Sequence, residues 1–169
     1  MLPKVPLPKY ETILPLSKKK VEFRPFTVQE EKLLLLAKEL KDQTSILRNI
    51  LQVVDYCTLE KIDINSLPLV DLEWLFLRLR SKSVGETSDI KFSCLNVIDG
   101  KQCNADIDVS INLEEIGLSG DVPDTKIEIT DSIGIVMKFP NVDVVLNAIS
   151  DELDVDSQIK MIFELVDYI

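Results

Sequence analysis

The chain has 169 residues, 19 Lys+Arg against 29 Asp+Glu, no histidine and a formal net charge of −10. Hydrophobic residues make up 46 %, enough for a packed core and too many for a disordered tail. The length suits one domain or two small ones, and the longest unbroken apolar run, Leu33–Ala37, falls far short of the roughly 18 residues of a membrane span.

Pro3, Pro6 and Pro8 fix φ and favour extended chain, so residues 1–9 read as an N-terminal arm, either disordered or docked through Leu2, Val5 and Leu7. Tyr10–Leu14 and Lys20–Phe26 read as two strands joined by a turn at Pro15–Lys18. In the second, Val21 and Phe23 alternate with Glu22 and Arg24, and Pro25 ends the ladder for want of an N–H. Thr27 and Glu30 stand at capping-box spacing and predict a helix to about Leu40. A short polar connection, Lys41–Gln43, leads to a second helix from about Thr44 to Cys57, with Ile46, Ile50, Val53 and Val54 on one face. After a loop over Asp63–Val70, Leu72, Leu75, Phe76 and Leu79 recur at i, i+3, i+4, i+7 and predict a third helix from Val70 or Asp71. Arg78, Arg80 and Lys82 suit its C-terminal dipole, and Gly85 can take the positive φ that stops it.

From Ser88 the period changes to two. Ile90, Phe92 and Cys94 alternate with Lys91 and Ser93, and Ile107, Val109 and Ile111 alternate with Asp106, Asp108 and Ser110. Asp99-Gly100 between them is a hairpin signal. Lys126–Thr130 and Gly134–Phe139 read as two further strands, Val142–Ile149 as a helix, and Val155–Tyr168 as a last helix with Ile159, Ile162, Phe163 and Val166 on one side. The chain stops inside that pattern without a helix stop signal, which predicts either continuation or docking of the last helix. The fold class is therefore α+β: an N-terminal β-hairpin plus three-helix segment over residues 1–85, then an antiparallel β-rich module with C-terminal helices over 86–169. The charge divides at the same place. Residues 1–85 carry 14 basic and 11 acidic side chains, net +3, and residues 86–169 carry 5 and 18, net −13. The split suits two modules or two faces with different partners, or solubility alone, and the acidic half repels nucleic acid.

No paired carboxylates sit in an apolar setting, and no phosphate loop or nucleophile elbow is present. The run Asp151, Glu152, Asp154 and Asp156 lacks calcium-loop spacing and suits a helix start. Three cysteines, Cys57, Cys94 and Cys103, are an odd number in a chain of ordinary size, which argues against a secreted disulfide scaffold. The segment MLPKVPLPKY has no apolar h-region, so a reducing cytoplasm is the expected compartment. Cys57 reads as a buried small hydrophobe. Cys94 and Cys103 flank the hairpin turn, two thiols where a structural zinc needs four ligands.

At RPFTVQEEKLLLLAKE (Arg24–Glu39) and DLEWLFLRLRSKSVGE (Asp71–Glu86), the chain closely resembles the T4-type bacteriophage baseplate hub protein family, as does the opening LPLSKKKVEFRPF. The resemblance covers about Leu7 to Phe139. It implies no enzymatic activity and no cofactor. It implies a tail protein that binds baseplate hub or other tail assembly components and promotes hub assembly, as a chaperone or a minor hub subunit. Such a protein works in the host cytoplasm during assembly, with the virion baseplate as its alternative residence. Relatives carry closely spaced cysteines in the hairpin after SVGE, like half of a zinc ribbon, loosened here to Cys94 and Cys103. They also tend to run on with another apolar helical segment. Arg78, Arg80, Lys82 and Glu86 are the expected partner contacts. The alternative is a degenerate zinc-ribbon accessory module built on Cys94 and Cys103 beside Lys91 and Lys101.

Overall fold

The computed structural model describes residues 6–39, 42–60, 62–98, 100–150 and 155–168. Leu2, Pro3 and Val5 of the arm, Leu40 and Lys41 of the first helix connection, Asp99 of the hairpin tip, and Asp151, Glu152 and Asp154 of the acidic run lie outside the described residues.

Strands β1 (Tyr10–Ile13) and β2 (Lys20–Phe23) pair antiparallel, Tyr10 opposite Phe23 and Ile13 opposite Lys20. Val21 and Phe23 are buried, as their alternation requires. The second strand is shorter than predicted because the backbone beyond it turns to a helix end. The Arg24 N–H donates to the Cys57 carbonyl at 2.9 Å, and the Leu59 N–H to the Glu22 carbonyl at 2.9 Å. Helix α1 (Val28–Glu39) starts where Glu30 accepts the Thr27 N–H at 2.6 Å. The Thr27 hydroxyl donates to that same carboxylate instead of capping the helix, so the Glu30 half of the capping box forms. Helix α2 (Gln43–Cys57) is capped by Asp42, whose side chain accepts the Ser45 N–H at 2.9 Å. Helix α3 (Leu69–Val84) begins one residue before the predicted start and stops at Gly85, whose φ of 148° and ψ of 156° suit glycine alone.

The predicted stripe of α3 is the centre of the core. Leu72, Leu75 and Leu79 meet Val53, Val54 and Cys57 of α2, Leu14, Val21 and Phe23 of the hairpin, and Val142. Full burial of each such side chain is worth about 1.5–3 kcal/mol. Val142 opens helix α4, so this core recruits a residue from the second half of the chain.

That second half is built differently. Strands β3 (Thr87–Ser93), β4 (Val97–Ile98), β5 (Lys101–Gln102) and β6 (Asp106–Asn112) form one long hairpin. Within it β3 pairs with β6, and β4 with β5 at the tip. The two ladders are separated where Asn104, at φ 48°, donates its N–H to the Cys94 carbonyl. Strands β7 (Lys126–Thr130) and β8 (Ile133–Met137) follow, then α4 (Val142–Ser150), α5 (Val155–Glu164) and β9 (Val166–Tyr168). The order β7-β8-β9 makes a three-stranded sheet. The last predicted helix is therefore corrected: it ends at Glu164, and residues 166–168 cap the edge of β8. There Val166 faces Met137, and the Lys138 N–H donates to the Leu165 carbonyl at 2.8 Å. The architecture is α+β, with its β-rich part divided among separate small antiparallel sheets.

Candidate docking surface

Helical spacing places Trp74, Arg78, Ser81 and Lys82 on one face of α3. The Arg78 guanidinium lies 4.3 Å from the centre of the Trp74 ring. It donates to the carbonyls of Leu113 at 3.1 Å, Glu114 at 3.0 Å and Ile116 at 3.0 Å. The Ser81 hydroxyl donates to the Glu114 carboxylate, and Lys82 Nζ lies 2.9 Å from Glu86 and 3.5 Å from Glu114. The Leu113 N–H donates to the Glu86 carbonyl at 2.7 Å. The Ser81 hydrogen bond leads in holding the Glu114 carboxyl below its ordinary range against desolvation, with Lys82 and Arg78 adding to it. The Glu86 hydrogen bond raises Lys82.

The structure thus brings the expected contact residues together and turns them onto the chain itself. Arg78, Lys82 and Glu86 close the joint between α3 and the segment after β6. Arg80 reaches the Gly85 carbonyl and the Ser88 hydroxyl, each at 3.4 Å. The cluster is a clamp that fastens the acidic half to the helical half.

The open surface lies elsewhere. In the β3–β6 ribbon, Ile90 faces Val109 and Phe92 faces Ile107, so four apolar side chains share one face. Asp89, Lys91, Asp106 and Asp108 share the other, where the Ser110 hydroxyl donates to Asp89 at 2.6 Å and Lys91 lies 3.8 Å from Asp108. Alternation predicts a buried apolar side here, yet Phe92 is 52 % and Ile107 49 % exposed. Ile127 and Ile129 on β7 are exposed too, and on α5 Ile159, Ile162 and Phe163, the last at 71 %, leave the predicted helical stripe uncovered. Sequence reasoning found the alternation and missed the exposure. The available signal was that the second half offers only two short helices to cover several ribbons.

Cys94 and Cys103 sit on facing segments of the hairpin, the Cys94 N–H donating to Ala105 and the Cys103 N–H to Asn96. Among the described residues no group of three or more Cys, Asp or Glu side chains converges on a point that could hold a metal. Cys57 is fully buried.

A family model for the T4 bacteriophage base plate protein matches residues 7–169. The chain belongs to that family. The base plate match runs through both halves, from the hairpin to β9, and so includes the clamp and the exposed ribbons. Comparison with curated proteins and with solved structures gives no match. Among the described residues no helix is long and apolar enough to cross a membrane. Membership assigns the chain to the phage tail baseplate, among other tail proteins.

Proposed function

We propose that this base plate protein is a non-enzymatic assembly factor that binds hub components and promotes hub assembly in the host cytoplasm. The observation that carries the reading is the exposure of large apolar side chains on the ribbon and helix faces of the acidic half, Phe92, Ile107, Ile127, Ile129, Ile162 and Phe163 among them. Clustered exposure of large apolar side chains marks an interaction site. Around it, the net charge of −13 over residues 86–169 favours partners with basic rims and opposes like-charged ones. The helical half, with its continuous core, is the rigid base. The Arg78 clamp sets the angle at which the ribbons are offered.

The experiment is copurification of the tagged chain from phage-infected cells, with identification of the retained tail proteins. The wild-type chain retains hub components. A Phe92→Glu/Ile107→Glu variant melts at the wild-type temperature, because both side chains are outside the core, and loses those components. Retention of none by the wild type, or equal retention by the variant, overturns the reading.

A further inference from the structure

The β3–β6 ribbon has two open edges, because among the described residues no third strand joins it. In an antiparallel pair, alternate residues turn their backbone groups toward the partner strand and the rest turn them outward. The Leu113 N–H bonds to the Glu86 carbonyl and the Cys94 N–H to the Ala105 carbonyl. Even-numbered residues of β3 therefore bond to β6. Thr87, Asp89, Lys91 and Ser93 present their N–H and C=O groups to the open edge.

From this parity we infer that β3 is a self-pairing edge, and that the occupant is a second copy of this chain. A twofold axis through Ile90, perpendicular to the sheet, sets β3 antiparallel to its copy. Asp89 then stands opposite the second copy's Lys91, twice, and both residues are outward-facing, as the hydrogen bonding requires. Shifting by one residue breaks that parity. Shifting by two sets Asp89 opposite Asp89 or Lys91 opposite Lys91, like charges in direct apposition, which destabilise. One register alone satisfies both backbone and charge. The β6 edge is not equivalent: it carries Asp106 and Asp108 and no cation.

The symmetry also joins the two apolar faces. Ile90 meets its own copy at a non-hydrogen-bonded site, where side chains approach most closely. Ile90, Phe92, Ile107 and Val109 of both copies then lie on one side of a continuous four-stranded sheet. A two-stranded ribbon alone is marginal in water, and three or more strands are needed for independent stability. The dimer leaves the apolar face open, so it widens the surface assigned to hub partners instead of consuming it.

The test is sedimentation of the full chain with Asp89→Lys and Lys91→Asp variants, separately and mixed. The wild type sediments at twice 19.2 kDa at tens of micromolar. Each variant alone carries a single-sign edge and dissociates about tenfold more readily or worse. Mixed in equal amounts they restore the dimer, because every facing pair is then opposite in charge. That recovery separates edge pairing from misfolding. A monomeric wild type, or variants that dimerise alone as well as together, overturns the inference.

Discussion

The carboxylate of Asp71 accepts the backbone N–H of Leu16 at 2.8 Å, across fifty-five residues of sequence. Its second oxygen accepts the Ser17 N–H at 2.9 Å, and the residue is 0 % exposed. An acidic residue in the first turn of α3 thereby fastens the β1–β2 turn to the helix.

Replacing Asp71 with Ala removes the acceptor shared by two half-buried backbone donors. Hydrogen bonds to charged groups contribute about 1.5–3 kcal/mol, and orphaned donors add their desolvation, so Asp71→Ala costs about 3 kcal/mol or more. Urea unfolding checks this: the midpoint falls while the slope holds. Asp71→Asn keeps one acceptor and is expected to lie between the two.

The clamp yields a different pattern. Arg78→Lys keeps the charge but replaces a planar fork by a single ammonium, which cannot reach three carbonyls at once. Hydrogen exchange is expected to accelerate over residues 86–116 and to remain slow in α2 and α3. Uniform acceleration would mean that Arg78 supports the core as a whole.

Acid exposes the Arg24–Glu30 pair. Burial pushes the Glu30 carboxyl up, but hydrogen bonds from Arg24 and Thr27 more than offset it and bring it from 4.5 to about 2. A carboxyl depressed on folding contributes stability that is complete above its unfolded value and lost as pH falls through the folded one. The contribution should therefore hold above pH 4.5 and fade toward pH 2. Glu30→Gln flattens that part of the stability–pH curve, measured by thermal melting across the range.

The thiols should separate by environment. Burial pushes the Cys57 thiol up to about 11, against the pull of Arg24. Cys103 is exposed and Cys94 half-buried. A thiol reagent is expected to modify Cys103 first and Cys57 only after denaturant is added. Reaction of Cys57 in the native state would show that the joint between α2 and the hairpin opens.

Much of the helical half is legible in the residues. The stripe Leu72, Leu75, Leu79 specifies its helix and its buried face together, because period and burial are one signal in a helix packed on a core. The Asp99-Gly100 turn locates the long hairpin for the same kind of local reason. Val166–Tyr168 was not legible as a strand. The apolar pattern from Ile159 to Val166 continues at helical spacing, and the deciding factor is the open edge of β8, which is remote in sequence. The fate of Arg78 and Lys82 was hidden likewise: helix physics places cations at that end, while only the folded position of residues 113–116 turns them inward. Exposure of Phe92 and Ile107 is a statement about what is missing opposite them, and no local pattern carries it.

In a tail assembly the β3–β6 ribbon is expected to be covered by a partner. Hydrogen–deuterium exchange of the chain, free and within the complex copurified from infected cells, tests it most directly. Amides of β3 and β6 are expected to slow on complex formation while those of α2 and α3 keep their rates. Unchanged exchange in the ribbon, with protection appearing on the helical half instead, would contradict it.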